Sequence, residues 1–600
     1  MQVEQSAYPG KWSELIHESL SFSSLFLGWR CIFKAEIFRP IRIPSLYHAT
    51  STTTMDLGSI QANFPSMSSN LDLKSAKFRE NSTKWNDIIA KYHSASEAAS
   101  QEGRNAKAIE KHTSRQILAR DRVALLRDPD TPFLELCAFA GHDLPDSSPS
   151  ASLIAGIGVV NGIICMILAH ILSIQGGSWN EFTVLKQNRI TAIASENRLP
   201  LIALVQSAGV FLPQQFRVFH KSGQIFRDLA LRTKNGLPSC AVVFGSSTAG
   251  GAYHPALSDY TIFVQDQAQV FLGGPPLVKM ATGEVVDAET LGGATMHSTV
   301  TGLSDQLAGD ELDAIRKARE WVLTTSSAQK QLNRPLITAP YAEVKYNPEE
   351  LLGLVDPDIR QPMDMMEIIL RIVDGAQISQ FKPRFGKGML TIWARIHGHL
   401  TGIIANQNPV ILCNEADKST QFIRLCNQNR TPIVFLHNVT GFMVGLKTET
   451  AGLIKKGAQF VSAVSTSTVP NISIVCGASY GAGNYAMCGR SYAPRFLFSW
   501  PNSRCSVMGP DQLSGVMENI ARGAATRSKK AVDEGELKAS TKRLSEQVLK
   551  DSEVYKTSAY LLDDGVIDPR DTRHVLGMTL EVVTLDPVRG NVGFKGLARM

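Results

Sequence analysis

NRTPIVFLHNVTGFMVG, residues 429–445, followed after a helical interval by SIVCGASYGAGNY, residues 473–485, is the stretch that decides the fold. Each half of it is an apolar run that opens into a turn of small residues. The plan recurs earlier, as NRLPLIALVQSAGVFLP at 197–213 and AVVFGSSTAGGAY at 241–253. A constant 232 residues separates Asn197 from Asn429, Gly245 from Gly477 and Tyr253 from Tyr485. Two β-turn-α units repeated in register, with no net gap over about sixty residues, argue for a duplicated α/β domain.

Composition narrows what such a duplication serves. The chain has 600 residues, of which 44% are hydrophobic and 19% charged, proportions of a globular protein with a large core. A net charge of +6 is small for this length, and no basic patch with interleaved aromatics or zinc finger points to nucleic acid. The nine cysteines are odd in number, scattered and without a CxxC pair, which favours reduced, buried thiols over disulfides or a metal site. The 22 residues from Leu153 to Ile174 lack any Asp, Glu, Lys or Arg and are nominally long enough to span a bilayer. Asn161-Gly162 between β-branched runs predicts a buried β-hairpin there instead.

Residues 1–80 read as a targeting segment. Arg30, Lys34, Arg39 and Arg42 precede Ser/Thr-rich sequence, as in a mitochondrial transit segment, although Glu4, Glu14 and Glu18 break the acid-poor pattern. Ala598-Arg599-Met600 is a loose variant of the peroxisomal tripeptide. The mitochondrial matrix is the expected compartment, with peroxisome or cytoplasm as alternatives. From about Lys84 to Leu126 the pattern is helical, and Lys107, Lys111, Arg115, Arg120 and Arg122 read as a solvated face. The first repeat occupies 176–325, with Gly176-Gly177-Ser178 opening a helix over 186–196 and a surface helix over 214–232. A polar connection, Asn333–Pro362, separates it from the second repeat, Met363–Gly523, and a charged helical tail spans 524–559. The domains expected are 84–335 and 345–590.

The turns admit several chemistries. The first does not match the dinucleotide fingerprint, and Gly481–Ala486 fits only its looser form ending in Ala, with no acid at 501–506. No GxxxxGK[ST] loop and no HExxH occurs. Gly477-Ala478-Ser479-Tyr480-Gly481 spells a nucleophile elbow. A hydrolase would then need an acid and a His afterwards; only His574 follows, and the first copy has no matching elbow. What both copies share is a strand ending in small residues at a helix N-terminus. That geometry exposes backbone N–H groups backed by the helix dipole, which suits an oxyanion. Glycine for tight strand–helix packing is the alternative at either turn alone; two turns in register strengthen the functional one.

Thr248–Tyr253, Phe271–Lys279, Ala281–Glu284 and Leu291–Ala294 resemble the N-terminal half of the carboxyltransferase (β) subunits of biotin-dependent acyl-CoA carboxylases. Asn438–Gly445, Ser479–Tyr485, Met487–Arg490 and Gly565–Arg573 resemble the C-terminal half, and the strings are most similar to the methylcrotonoyl-CoA carboxylase type. The resemblance spans about residues 84–600. It implies two tandem crotonase-like β-β-α superhelical domains, with acyl-CoA held mainly by the first and carboxybiotin mainly by the second. It implies an active site between β subunits of a homo-oligomer, a hexamer in the family, and transfer of CO2 to 3-methylcrotonoyl-CoA in leucine catabolism. Carried over residue by residue, the catalytic amides are Gly250 and Gly251 for the thioester enolate and Gly481, Ala482 and Gly483 for the ureido oxygen of biotin. The lining residues are Gly176, Gly177, Ser207, Ala208, Gly209, Gly273 and Gly274 on one side and Thr440, Gly441, Phe442 and Tyr485 on the other. No metal enters. The chain carries no biotinyl-lysine string, so a separate biotin-bearing α subunit is required; no membrane or nucleic acid partner is implied.

The departures cluster on the acyl-CoA side. Gln206-Ser207-Ala208-Gly209-Val210-Phe211 stands where the methylcrotonoyl type has Asp-Ser-Gly-Gly-Ala-Tyr. His170-Ile171 replaces an Asn-Asp pair, and His254 stands where an aliphatic residue is usual, reading as a pocket-wall residue rather than a catalyst. A paralogue acting on another acyl-CoA and a degenerate non-catalytic subunit are therefore the alternatives. A crotonase-type hydratase would want paired catalytic Glu residues, which neither turn supplies.

Overall fold

The computed structural model describes residues 64–103, 106–113, 116–332, 341–528 and 532–590. The transit-like segment to residue 63, Arg115, residues 333–340 of the polar connection and the C-terminal tripeptide lie outside the described residues.

The first repeat and the hairpin before it contribute β1 (Leu134–Glu135), β2 (Leu153–Val160), β3 (Ile163–His170), β4 (Leu201–Ser207), β5 (Ser239–Thr248), β6 (Tyr260–Val264), β7 (Gln269–Phe271) and β8 (Gln306–Ala308). They order as β1-β2-β3-β4-β5-β6-β8, with β7 beside β5. Downstream come β9 (Ile378–Gln380), β10 (Met389–Ile396), β11 (His399–Asn406), β12 (Val410–Ile411), β13 (Ile433–Val439), β14 (Gly441–Phe442), β15 (Asn471–Tyr480), β16 (Phe496–Ser499) and β17 (Arg504–Ser506). The second sheet orders as β16-β15-β13-β11-β10-β9, with β17 beside β15, and β12 pairs β14 separately. In each sheet an antiparallel hairpin leads into a parallel run, β3-β4-β5-β6 or β11-β13-β15-β16. β4 and β13 are buried along their whole length, as parallel strands covered on both faces must be.

The repeat seen in sequence is a repeat of register. Leu201 pairs with Ser239 as Ile433 pairs with Asn471. The ladder slips between Val205 and Ser207 in one copy and between His437 and Val439 in the other, at equivalent positions. The uncharged stretch from Leu153 is the predicted hairpin: Asn161 (φ 50°) and Gly162 (φ 75°) make its turn. Asp128 accepts both turn amides at 2.8 Å. Asp374 does the same for His397 and Gly398 in the second copy, at 2.9 and 2.8 Å. No helix among the described residues is long and apolar enough to cross a membrane.

The helices used below are α1 (Ala76–Ser100), α2 (Glu181–Glu196), α3 (Gln215–Lys234), α4 (Gly250–Ala256), α5 (Cys413–Gln428), α6 (Leu453–Ser465), α7 (Gly481–Ala486), α8 (Pro510–Ser528) and α9 (Glu534–Asp551). Two depart from expectation. α1 starts at Ala76, ahead of Lys84, because Ser75 caps it by accepting the Phe78 amide at 3.2 Å. Its Trp85 is fully buried and donates to the Val355 carbonyl at 2.8 Å. α2 starts at Glu181 rather than 186, because Asn180 and Thr183 form a reciprocal capping box. Gly176 and Gly177 do not open that helix; they form a left-handed turn before it, at φ 65° and 66°. The solvated-face reading of Arg122 also fails: its guanidinium is buried against Glu311, 2.8 Å away, and lies 4.2 Å from the Phe244 ring centroid.

Two buried lysines mark the duplication. Lys186 on α2 donates to the carbonyl of Leu153 at 2.6 Å, and its repeat mate Lys418 on α5 donates to that of Met389 at 2.8 Å. Each ties a helix to the first residue of its hairpin, and burial lowers the pKa of each to about 8. Between the halves sits Asp564, fully buried and paired with Arg189 of α2 and with Arg490, both at 2.8 Å. Despite burial, Arg189 and then Arg490 hold its carboxyl well below the usual carboxylate range.

Candidate functional site

The first turn begins where β5 ends. Ala249 adopts φ 54° and ψ −118°, a conformation that suits glycine, and Gly250 starts α4 immediately after it. The first amides of a helix have no acceptor within it, so Gly250 and Gly251 present N–H groups at the positive end of the turn. The Ala249 amide is committed elsewhere, donating to the Phe271 carbonyl at 3.1 Å and placing Gly273-Gly274 alongside.

The loop of Gly176-Gly177 packs against Gln206–Gly209. The Ala208 amide donates to the Gly176 carbonyl at 3.0 Å, and a Cβ at Gly177 would stand 2.3 Å from the Gln206 carbonyl oxygen. Gly209 (φ 85°) donates to Ser207 Oγ at 3.1 Å. A Cβ at Gly251 would lie 3.3 Å from Ser207 Cβ and Ser247 Oγ. The seven candidates Gly176, Gly177, Ser207, Ala208, Gly209, Gly250 and Gly251 are thus one cluster, with the Ala208 methyl on its exposed side.

The second turn repeats the first. Gly481, the mate of Ala249, has the same φ of 54° and starts α7. A Cβ at Gly483 would stand 2.6 Å from Val439 Cγ2 and 3.1 Å from Gly441 Cα, so this helix end can approach Thr440-Gly441 only as glycine. The ring of Phe442 packs on α6, 3.2 Å from a Cβ at Gly457. Ala482 and Gly483 hold the positions of Gly250 and Gly251, and Tyr485 is half-exposed like its mate Tyr253. A cavity of about 570 Å³ adjoins this turn, lined by Thr440, Ala478, Tyr480 and Tyr555 among others and by no candidate of the first half.

The elbow reading of Ser479 does not hold. Ser479 is the penultimate residue of β15 and fully buried, and its hydroxyl is taken up by His437 Nδ1 at 2.9 Å and Asn484 Nδ2 at 2.8 Å. The histidine precedes the serine in the chain, an order the motif does not anticipate, and burial lowers its pKa to about 3. The group braces α7 from behind instead. His254 is likewise buried and neutral, its pKa lowered to about 4 by burial, so it lies behind the turn rather than in the cleft.

Sequence reasoning missed Ala249, the His437–Ser479–Asn484 group and Asp563. Ala249 was legible in principle, as the mate of Gly481. Asp563 is fully enclosed, faces the hydroxyls of Ser558 and Ser499 without completing a hydrogen bond to either, and burial raises its pKa to about 6.

Residues 110–590 match the carboxyl transferase domain family. A probable biotin-dependent acyl-coenzyme A carboxylase beta2 subunit of Mycobacterium tuberculosis is 48% identical over 499 residues, 83% of this chain and 93% of its own. A probable mitochondrial methylcrotonoyl-CoA carboxylase beta chain of Drosophila melanogaster is 42% identical over 532 residues, 86% of this chain and 92% of its own. Among solved structures, the P. aeruginosa geranyl-CoA carboxylase beta subunit superimposes with a TM-score of 0.80 at 38% identity, covering 88% of this chain and 99% of that one.

Proposed function

Because the chain belongs to the carboxyl transferase family and is a biotin-dependent acyl-CoA carboxyltransferase of crotonase-like fold, we propose that its two small-residue turns are the two oxyanion holes of that reaction. The amides of Gly250 and Gly251 hold the thioester oxygen as it gains charge. Those of Gly481, Ala482 and Gly483 hold the ureido oxygen. One observation carries this reading: each turn has a residue at φ 54° directly after a parallel strand, where a helix begins whose first amides have no acceptor within it.

The second turn leaves room for a ureido ring on its open side, since a Cβ at Gly441 would meet nothing within 4 Å. Carboxybiotin, when bound, supplies the CO2 and then the base that takes the substrate proton. The chain's own part is electrostatic and positional, with no side-chain nucleophile. Gly176, Gly177, Ser207, Ala208, Gly209, Gly273 and Gly274 line the acyl-CoA side; Thr440, Gly441, Phe442 and Tyr485 line the other. The biotin rides on a separate α subunit. The site is completed by a second copy of this chain, a reading supported by the strongly exposed Leu212, Phe216 and Phe219 beside the first turn and Val444, Leu446 and Ile454 beside the second.

The acceptor proposed is 3-methylcrotonoyl-CoA, in keeping with the Drosophila relative, and the compartment the mitochondrion. The altered 206–211 loop favours a different acyl-CoA as the second reading, because the added Ala208 methyl lies on the open side of the cluster. Labelled bicarbonate incorporation, with the chain assembled on a biotinylated α subunit and offered a panel of acyl-CoAs, separates them. No turnover on any member, with assembly intact, refutes both. Gly250→Pro deletes one amide donor, whereas Gly250→Ala keeps it, and a Cβ there meets only ordinary contacts at 3.6 Å. Loss of about 10²–10³ in kcat is expected for Gly250→Pro alone; wild-type turnover would refute the hole assignment.

A further inference from the structure

Behind the Gly250–Gly251 turn lies a buried polar group that the proposed chemistry does not use. His170, the last residue of β3, and His254, on α4, are 1% and 2% exposed. Their rings stand nearly perpendicular, with centroids 6.4 Å apart. The indole nitrogen of Trp179 lies 3.1 Å from His170 Nε2. An indole N–H can only donate, so Nε2 is the acceptor and the imidazole proton sits on Nδ1. The side-chain nitrogen of Gln187, 3.0 Å from the same Nε2, is oriented as a second donor. His170 is therefore a neutral acceptor whose tautomer is fixed by its neighbours. Burial, reinforced by His254, keeps it neutral by lowering its pKa to about 3.

Trp179 in turn is bonded to the 206–211 loop and reaches toward the Gly250 turn. Its amide donates to the Gly209 carbonyl at 2.8 Å, and its carbonyl accepts from the Phe211 amide at 2.9 Å. Its ring lies 14° from parallel with that of His170. The far edge of the indole, Cζ3, is 3.6 Å from where a Cβ of Gly250 would stand. The indole thus spans from the imidazole to the open side of Gly250, the first residue of α4, leaving a space there about one methyl wide. Rotation of the indole away from Gly250 would break the N–H bond at its other end.

We infer that His170 is a positioning residue for the thioester turn: by accepting the Trp179 indole N–H it fixes that ring beside Gly250 and, through the Trp179 backbone, the Gly209–Phe211 loop on which the turn packs. The inference rests on the assignment of that turn to the thioester oxygen. It gives the departure at His170-Ile171 a purpose, since of the two donors to the imidazole, Trp179 and Gln187, Trp179 is the one that reaches the turn.

The test uses the full chain assembled with its biotinylated partner and the acyl-CoA it turns over best. Trp179→Phe keeps an aromatic ring and deletes the donor; His170→Leu deletes the acceptor; His170→Gln restores one. Each deletion is expected to lower kcat about tenfold with KM for acyl-CoA within about twofold, the pattern of a lost transition-state interaction. The double variant should be no worse than either single, because both remove one bond, and His170→Gln should return most of kcat. Wild-type kcat in Trp179→Phe overturns the inference, as do losses that multiply in the double variant. Should His170→Leu fail to assemble, Trp179→Phe alone decides. Full activity in Gly250→Pro would sink the turn assignment itself; loss there with none in Trp179→Phe sinks only the role of His170.

Discussion

Adding one methyl to the same position of the two repeats tests the two holes against each other. Gly251→Ala and Gly483→Ala are repeat mates at the second residue after the strained position. At Gly251 the new Cβ meets Ser207 Cβ and Ser247 Oγ at 3.3 Å, a contact relieved by a shift of a few tenths of an ångström. At Gly483 it meets Val439 Cγ2 at 2.6 Å, and the Gly441 Cα and amide nitrogen at 3.1 and 3.2 Å, two of them backbone atoms that cannot swing aside. Overpacking of this kind costs about 1–3 kcal/mol. Alanine's better helix propensity returns up to about 1 kcal/mol at either site. The net is near zero for Gly251→Ala and destabilising by about 1–2 kcal/mol for Gly483→Ala. The larger consequence is geometric: α7 must move off Thr440-Gly441 to admit the methyl, and its amides move with it. Misplacing one oxyanion donor costs about 10²–10³ in kcat, so Gly483→Ala should approach that loss while Gly251→Ala loses less than about tenfold. Labelled bicarbonate incorporation, with thermal unfolding measured on the same samples, reads both numbers. Wild-type kcat in Gly483→Ala, or greater damage from Gly251→Ala, would refute the reasoning.

Other outcomes follow from single groups. Ala249→Gly relieves backbone strain worth about 1–3 kcal/mol, less the extra chain entropy of glycine; it should raise Tm and leave kcat within about twofold, and a lower Tm would contradict the strain. Asp563 has a folded pKa raised to about 6, so its carboxyl favours the folded state below its unfolded pKa near 4 and loses that advantage as pH rises through 6. Asp563→Asn should accordingly stabilise the protein by about 2–3 kcal/mol at pH 8 and by only about 1 kcal/mol at pH 4.5; equal shifts at both would exclude a buried charge. Asp564 is the opposite case: its depressed carboxyl contributes above the unfolded pKa and that contribution is lost as pH falls. Asp564→Asn strands Arg189 and Arg490 and should cost about 3–5 kcal/mol at pH 7, measured by denaturant unfolding; a loss below 1 kcal/mol would mean the arginines find water instead.

What could be read in the sequence was local or periodic. The constant spacing between copies fixed the strand–turn–helix units, and Asn161-Gly162 identified a hairpin in a stretch long enough for a membrane span. The small-residue runs at both turns pointed to oxyanion holes because the signal lies in consecutive residues. What escaped depends on partners far along the chain. Arg122 looked solvated because Glu311 lies 189 residues away. Lys186 and Lys418 sit in ordinary helical sequence, and only the carbonyls at the start of each hairpin explain why they are buried. The Gly176-Gly177 pair reads as a helix start in sequence because glycine pairs occur at both helix starts and turns, and the Asn180 cap decides between them. His170 and His254 stood out as departures, but nothing local showed that Trp179 links the first of them to Gly250.

The clamp at Asp564 also sets an order of events. Arg189 belongs to the first repeat, yet its carboxylate partner is made 375 residues later. At a synthesis rate of about 5–20 residues per second, the first half waits roughly 20–75 s with this cation unpaired and its α2 surface uncovered. Through that interval it is a nascent chain whose native neighbour does not yet exist. The protein is thus a two-part repeat in design but a single unit in the order of its assembly, and a chain interrupted anywhere before residue 564 leaves its first half unfinished.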